Sequence, residues 1–165
     1  MKMALLLVDH GSVRAEANAL LAEVAHLVHE FSGLEIIEHA HMELAEPTIA
    51  QGFDACVAAG ANMVIVHPYF LAPGRHSTQD IPRLVAGAAA RHPGIRYSVS
   101  EPLGLHPKIA EVVLERAARA GAGETAREAS PQDGPRVGGS VARRGQRRRD
   151  PGGGRPPKGR STRRG

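Results

Sequence analysis

Residues 64–82 read VIVHPYFLAPGRHSTQDIP, and this stretch decides the fold. It begins as a short apolar run, the pattern of a strand covered on both faces. Pro68 has no N–H for a ladder, so the strand should break there. A Pro-Gly loop follows, and His76 stands just before a new helix. Asp80 and Pro82 open that helix, with an acid in its first turn where the helix dipole favours one. The first apolar run, Met3–Val8, ends in the same way, in Asp9-His10-Gly11-Ser12. Neither run alternates, which fits a parallel sheet with both faces buried.

The rest of the chain repeats this unit. Residues 14–31 place Ala17, Leu20, Leu21, Val24, Leu27, Val28 and Phe31 on one stripe at helical spacing, with Ser12 as a possible cap and Gly33 as the stop. Residues 34–40 form a second strand. Pro47 fits the first turn of a second helix, which runs to Ala59 and ends at Gly60. Residues 62–66 form the third strand and 95–100 the fourth. Pro107 begins a last helix with the stripe Ile109, Val112, Val113, Arg116 and Ala117, stopping near Gly121. The order βαβαβαβα predicts an α/β three-layer sandwich around a four-stranded parallel sheet with right-handed crossovers. Every strand-to-helix loop then lies at the carboxyl end of the sheet, where open α/β sheets bind ligands.

Charge divides the 165 residues at about residue 120. Residues 1–120 carry 9 Lys+Arg and 13 Asp+Glu, a net of −4, whereas 121–165 carry 12 and 4, a net of +8. The second segment holds 11 Gly, 5 Pro and 11 Arg with almost no apolar residues, so it is expected to be a disordered basic tail beside a domain of residues 1–120. Its RRGQRRR run could attract nucleic acid or an anionic surface weakly, and no aromatic residue interleaves the arginines to stack on bases. Otherwise no nucleic-acid partner is expected. The one cysteine, Cys56, excludes an internal disulfide and a zinc or iron–sulfur site built from cysteines of this chain, and it reads as a core residue. No apolar run reaches the ~18 residues of a membrane span. The N-terminus reads as a strand rather than a signal peptide, so a soluble, cytoplasmic protein is expected.

Nine histidines invite a metal reading, and most do not need one. His26 and His29 fall on a helix surface, His92 at a helix end, and His67 inside a strand. His39 and His41 flank the end of the second strand, and only one of them is expected to face the crevice. His10 and His76 differ by position: each follows a strand, beside a glycine, on a loop that projects from the same sheet edge. Two imidazoles suit Zn, Co, Ni or Fe(II) and make an open site from which a metal can leave. Glu43, on the second strand's exit loop, could add a ligand or a proton acceptor. A merely polar crevice is the alternative. Arg14, Arg75 and Arg83 would suit an anionic ligand at the crevice mouth, or be ordinary surface charge. No GxxxxGK[ST] or GxGxxG motif is present, so a nucleotide is not expected.

LLLVDHGS at 5–12, AHMELAEPTI at 40–49, VHPYFLAPGRHSTQDIP at 66–82 and EPLGLHPKI at 101–109 together resemble the small sirohydrochlorin chelatases of the CbiX/SirB type, in the expected order and over residues 3–118. The motifs are most similar to those of the plant-type iron chelatases. The resemblance implies a chelatase half-fold and insertion of Fe(II) or Co(II) into sirohydrochlorin, toward siroheme or cobalamin. It implies His10 and His76 as metal-binding and catalytic residues, Glu43 as a helper, and Ser12, Arg14, Arg75 and Arg83 toward the carboxylates of the tetrapyrrole. A homodimer is implied as well, with no permanently bound cofactor. Two features depart from the pattern. Val13 stands where many relatives place a basic residue, and the C-terminal cysteines that hold a 2Fe–2S cluster in plant-type members are absent here. A metal or tetrapyrrole carrier of the same fold, without turnover, is the alternative function.

Overall fold

The computed structural model describes residues 2–124. The tail expected over 121–165 lies outside the described residues from position 125 onward. Eight elements follow in strict alternation: β1 (Met3–Asp9), α1 (Ala15–Ser32), β2 (Ile36–His41), α2 (Ile49–Ala58), β3 (Met63–Pro68), α3 (Ile81–Ala89), β4 (Arg96–Val99) and α4 (Pro107–Arg119). The strands form one parallel sheet in the order β2-β1-β3-β4. The expected α/β architecture is therefore present.

The two faces of the sheet are covered unequally. Ala4, Leu6 and Val8 of β1, Ile36 and Ala40 of β2, and Val64 and Val66 of β3 point to one side, where α2 and α3 close the main core around Phe53, Ile81 and Val85. Gly52 lets α2 come close to the sheet, because a Cβ there would lie 2.8 Å from Leu6 Cδ1 and 3.0 Å from Ala40 Cβ. Asp54 on α2 ties this layer to the end of α3, accepting hydrogen bonds from Arg91 Nη2 at 2.8 and 2.9 Å and meeting His92 Nε2 at 2.6 Å. Cys56 is fully buried in this core, and burial pushes its thiol up to about 12, which makes it inert. On the other face α1 packs over β1 and β2 through Leu7, Leu21 and Ala25.

Several local expectations change. Pro47 does not open α2. Thr48 is the N-cap, in a reciprocal capping box with Gln51, and the Glu46–Pro47 bond is cis. Two orphan helix donors are satisfied at once by that pair, which outweighs a proline's fit to the first turn. Ser12 does not cap α1. Arg14 holds the cap position without a side-chain bond, and the Ser12 hydroxyl accepts from Arg14 N at 3.1 Å one step earlier. The break expected at Pro68 is present: β3 ends on that proline, opposite Val8 of β1. Helical chain begins at His76, in a π turn over His76–Asp80 that runs into α3. Pro82 cannot donate to the Thr78 carbonyl and needs room there, and the wider turn provides it. After α4 a further π turn spans Ala120–Glu124, past the stop expected at Gly121. Leu20, Leu27 and Phe31 lie on the α1 stripe as expected but are 58%, 51% and 84% exposed, because α1 contacts the sheet along only part of that stripe.

His67 settles as a packed residue. Its Nδ1 lies 2.7 Å from Ser100 Oγ, and burial lowers its pKa. The native state therefore binds fewer protons here than the unfolded chain, whose imidazole titrates near 6.5. Stability from this source is complete above about pH 6.5 and is lost as pH falls through the lowered native value. The melting temperature is expected to drop between pH 7 and pH 5, and His67→Gln should flatten that slope. It should not abolish it, since His39 is shifted the same way by burial and by the neighbouring His41. Thermal melts of the two proteins across that range check it. Among the described residues no helix is long and apolar enough to cross a membrane.

Candidate metal and tetrapyrrole site

The strand order explains why two loops far apart in sequence meet. From β1 the chain moves outward to β2, then returns across β1 to β3 and on to β4. The direction of winding reverses between β1 and β3, and the loops leaving those neighbouring strands diverge to open a crevice at their carboxyl ends. His10 follows β1 directly. His76 is carried back to the same crevice by the 69–75 loop, which is pinned at Gly74: its carbonyl accepts from Ser77 Oγ at 3.1 Å and Thr78 Oγ1 at 2.8 Å. The His10 and His76 rings stand edge to face with centroids 5.3 Å apart.

Carboxylates orient both rings. Glu43 Oε1 lies 2.7 Å from His10 Nε2, and Asp80 Oδ2 lies 3.0 Å from His76 Nδ1. A carboxylate only accepts, so Asp80 draws the proton of a neutral His76 to Nδ1 and leaves the Nε2 lone pair open. Glu43 likewise favours the proton on Nε2 of His10. Glu43 reaches His10 because β1 and β2 continue to pair beyond their ends: Met42 N donates to Asp9 O at 2.9 Å and Glu43 N to His10 O at 3.1 Å. Gly11 sits inside this joint at φ +85°, and a Cβ there would fall 1.9 Å from the Glu43 carbonyl oxygen. Beneath it the Asp9 carboxylate accepts from Gly11 N at 2.9 Å and meets His41 Nδ1 at 2.5 Å. His41 is buried, and His39 packs beside it with ring centroids 6.0 Å apart. Two residues apart on a strand they share a face, so neither is the separate crevice histidine the sequence allowed.

A cavity of about 310 Å³ lies alongside, lined by Met42, Glu43, His76, Asp80, Arg83 and Leu84. Arg83 is thus at the site, 3.9 Å from Asp80 across one helical turn. Arg14 and Arg75 are exposed on the two crevice loops, and no described residue pairs with either guanidinium. Ser12 is used locally: Asn18 clamps its main chain, with Ser12 N donating to Oδ1 at 2.9 Å and Nδ2 donating to its carbonyl at 2.8 Å. Asp80 is the residue the sequence reading missed in this role. The signal was the i,i+4 spacing of His76 and Asp80 on a helix, read only as a dipole effect. Among the described residues no set of three or more His, Cys, Asp or Glu is placed to hold one ion, so the arrangement offers a pair of imidazoles with carboxylates behind them.

Residues 4–120 match the CbiX family. The chain belongs to the CbiX family. It is 48% identical over 112 residues to the chloroplastic sirohydrochlorin ferrochelatase of Arabidopsis thaliana, covering 68% of this chain and 50% of that protein. It is 32% identical over 138 residues to the sirohydrochlorin cobaltochelatase of Methanocaldococcus jannaschii, covering 69% of this chain and 96% of that one. Among solved structures it superposes on the sirohydrochlorin chelatase SirB of Bacillus subtilis subspecies spizizenii in complex with cobalt, with a TM-score of 0.68 at 36% identity, over 72% of this chain and 51% of that chain. This CbiX-family chain spans half or less of the length of the first curated relatives it matches, at 50%, 44% and 38%.

Proposed function

We propose that the chain inserts Fe(II) or Co(II) into sirohydrochlorin. The observation that carries this reading is the meeting of His10 and His76 at 5.3 Å over the switch point, each ring backed by a carboxylate. The family's curated members include both ferrochelatases and cobaltochelatases, and imidazole with carboxylate accepts either ion, so the reading covers both metals.

In this reading the metal is a substrate in transit. His76 offers Nε2 as its first ligand, with the ring held by Asp80. Neutral His10 supplies the second imidazole, with the Glu43 carboxylate 2.7 Å from its Nε2 as a proton acceptor beside the ion. Two pyrrole N–H protons must leave the macrocycle as the metal enters, and Glu43 lies where it can accept them one at a time, handing the first to solvent before taking the second. Arg83, with Arg14, Arg75 and Ser12 on the rim, would meet the peripheral carboxylates of the tetrapyrrole. Cys56 is buried and is the one cysteine of the sequence, so this reading assigns no step to an iron–sulfur cluster. The active form is read as a homodimer.

Turnover tests the proposal. Protein at about one-hundredth the concentration of sirohydrochlorin, with excess Co(II) or anaerobic Fe(II), should convert the whole pool, followed by absorbance against the protein-free rate. Conversion that stops at one equivalent per chain would make the protein a carrier and overturn the enzyme reading.

A further inference from the structure

Two polar side chains are buried among the described residues, His41 and Ser77, and each stands behind a loop that carries one of the crevice histidines. Ser77 closes the turn ahead of His76: its hydroxyl donates to Gly74 O at 3.1 Å and accepts from Gly74 N at 3.0 Å. His41 has no part in the proposed chemistry, and an imidazole is costly to desolvate. An apolar residue of similar size is often as good or better for stability at such a position. What His41 touches explains its presence. It ends β2 opposite Asp9, the last residue of β1. A carboxylate only accepts, so His41 Nδ1 donates to Asp9 Oδ1, at 2.5 Å. The same oxygen accepts from Gly11 N at 2.9 Å. That second bond spans Asp9-His10-Gly11 and closes an Asx turn with His10 at its apex.

We infer that Asp9 and His41 are positioning residues that together aim His10 across the crevice at His76. Asp9 shapes the turn, and His41 fixes Asp9. Because one carboxylate oxygen takes both donors, the carboxylate is held in one orientation and the turn inherits it. His41 is itself anchored. Its N donates to Pro47 O at 2.7 Å, and it bridges to Thr48, the N-cap of α2. It also lies close under the turn, since a Cβ on Gly11 would come within 3.1 Å of His41 Cβ. His10 thus takes its direction from the start of α2, through His41 and Asp9. Core packing does not supply it, because the His10 side chain is 42% exposed. Without the pair, the approach of the two rings to 5.3 Å would depend on the contact between His10 and Glu43 alone. The role rests on the metal handling proposed for His10 only where metal is measured; the placement of the ring does not depend on that reading.

The experiment uses the full chain and needs no turnover. In metal-free protein with isotope-labelled histidine, nuclear Overhauser contacts between the His10 and His76 rings should be present in the wild type. Asp9→Ala removes the acceptor. It should abolish those contacts and raise the dissociation constant for Co(II), titrated by its visible absorbance without tetrapyrrole, by roughly 10–100-fold, the scale for a partner behind a ligating histidine. Asp9→Asn loses the charge but keeps an oxygen that accepts from Gly11 N, so it should restore the ring contacts and most of the affinity. His41→Leu should weaken Co(II) binding about tenfold on the same scale. His41→Asn, whose Nδ2 can donate to Asp9 Oδ1, should recover it. This second pair decides the matter if circular dichroism shows that Asp9→Ala does not fold. A purely structural role would lower the melting temperature yet leave the ring contacts and the Co(II) constant of the folded protein unchanged, and that result would overturn the inference. Equal losses in Asp9→Ala and Asp9→Asn would overturn it too, by making the charge the cause, and so would a wild type without ring contacts. Ring contacts that follow the acceptor in a protein that binds no Co(II) would uphold the positioning and remove the chelatase reading instead.

Discussion

His10→Ala and His76→Ala are each expected to lower the rate of metal insertion at least 1,000-fold, and the double variant should fall little further. The reason is geometric. Rings 5.3 Å apart across one crevice serve a single ion, and removing either leaves a monodentate imidazole that binds a divalent ion too weakly to deliver it. Residues acting as a unit give such non-additive losses. Stability should barely change, because the two side chains are 42% and 50% exposed and belong to neither core cluster. The orienting carboxylates should separate by role. Asp80→Ala frees the His76 ring and should raise the metal concentration at half-saturation by 10–100-fold, the usual scale for an outer partner of a ligating histidine. Asp80→Asn should recover part of that, since its amide oxygen still accepts from Nδ1. Glu43→Gln keeps a hydrogen bond to His10 but cannot accept a proton from the macrocycle, so it should reduce the maximal rate more than the metal affinity. Initial rates over a metal series at saturating sirohydrochlorin distinguish these outcomes. Wild-type insertion by the His10/His76 double variant would remove the basis for the proposed function.

What could be read in advance was whatever rests on short-range pattern. The apolar runs at 3–8 and 62–66 can be buried only between two layers of helix, and the helical stripes between them force parallel strands. Two histidines at strand exits then had to share an edge. What that argument lacked was the strand order. Neighbouring exits need not converge, and it is the reversal of winding between β1 and β3 that brings these two together. The errors share a cause: each came from reading a residue by its own propensity when a neighbour decided the matter. Pro47 lost the helix start to the Thr48–Gln51 pair, and Ser12 lost it to a turn clamped by Asn18. His39 and His41 were judged as alternatives, although a strand's two-residue period puts them side by side. Leu20, Leu27 and Phe31 follow the right period for burial, but periodicity says which side of a helix is apolar and nothing about what lies against it.

Gly11 carries the last of the large effects. Gly11→Ala is expected to cost about 2–5 kcal/mol of stability and to lower insertion by roughly 100-fold. At φ +85° an L-residue is strained by ~1–2 kcal/mol, and the new methyl would also lie 1.9 Å from the Glu43 carbonyl oxygen and 3.1 Å from His41 Cβ. Backbone must therefore move, at an overpacking cost of typically ~1–3 kcal/mol. The segment that yields is the β2 exit, held to β1 by Glu43 N donating to His10 O. Its displacement pulls Glu43 from His10, and a misplacement of ~1 Å in a reacting constellation costs on the order of 100-fold. Gly33→Ala separates the two contributions. Gly33 also has a left-handed backbone, at φ +66°, but no heavy atom lies within 4 Å of its would-be Cβ. It should lose only the ~1–2 kcal/mol of strain and keep full activity. Urea denaturation with parallel insertion assays reads both variants. If Gly11→Ala behaved like Gly33→Ala, the β1 and β2 exits would not be joined as tightly as the Glu43–His10 contact requires, and the proton path through Glu43 would have to be given up.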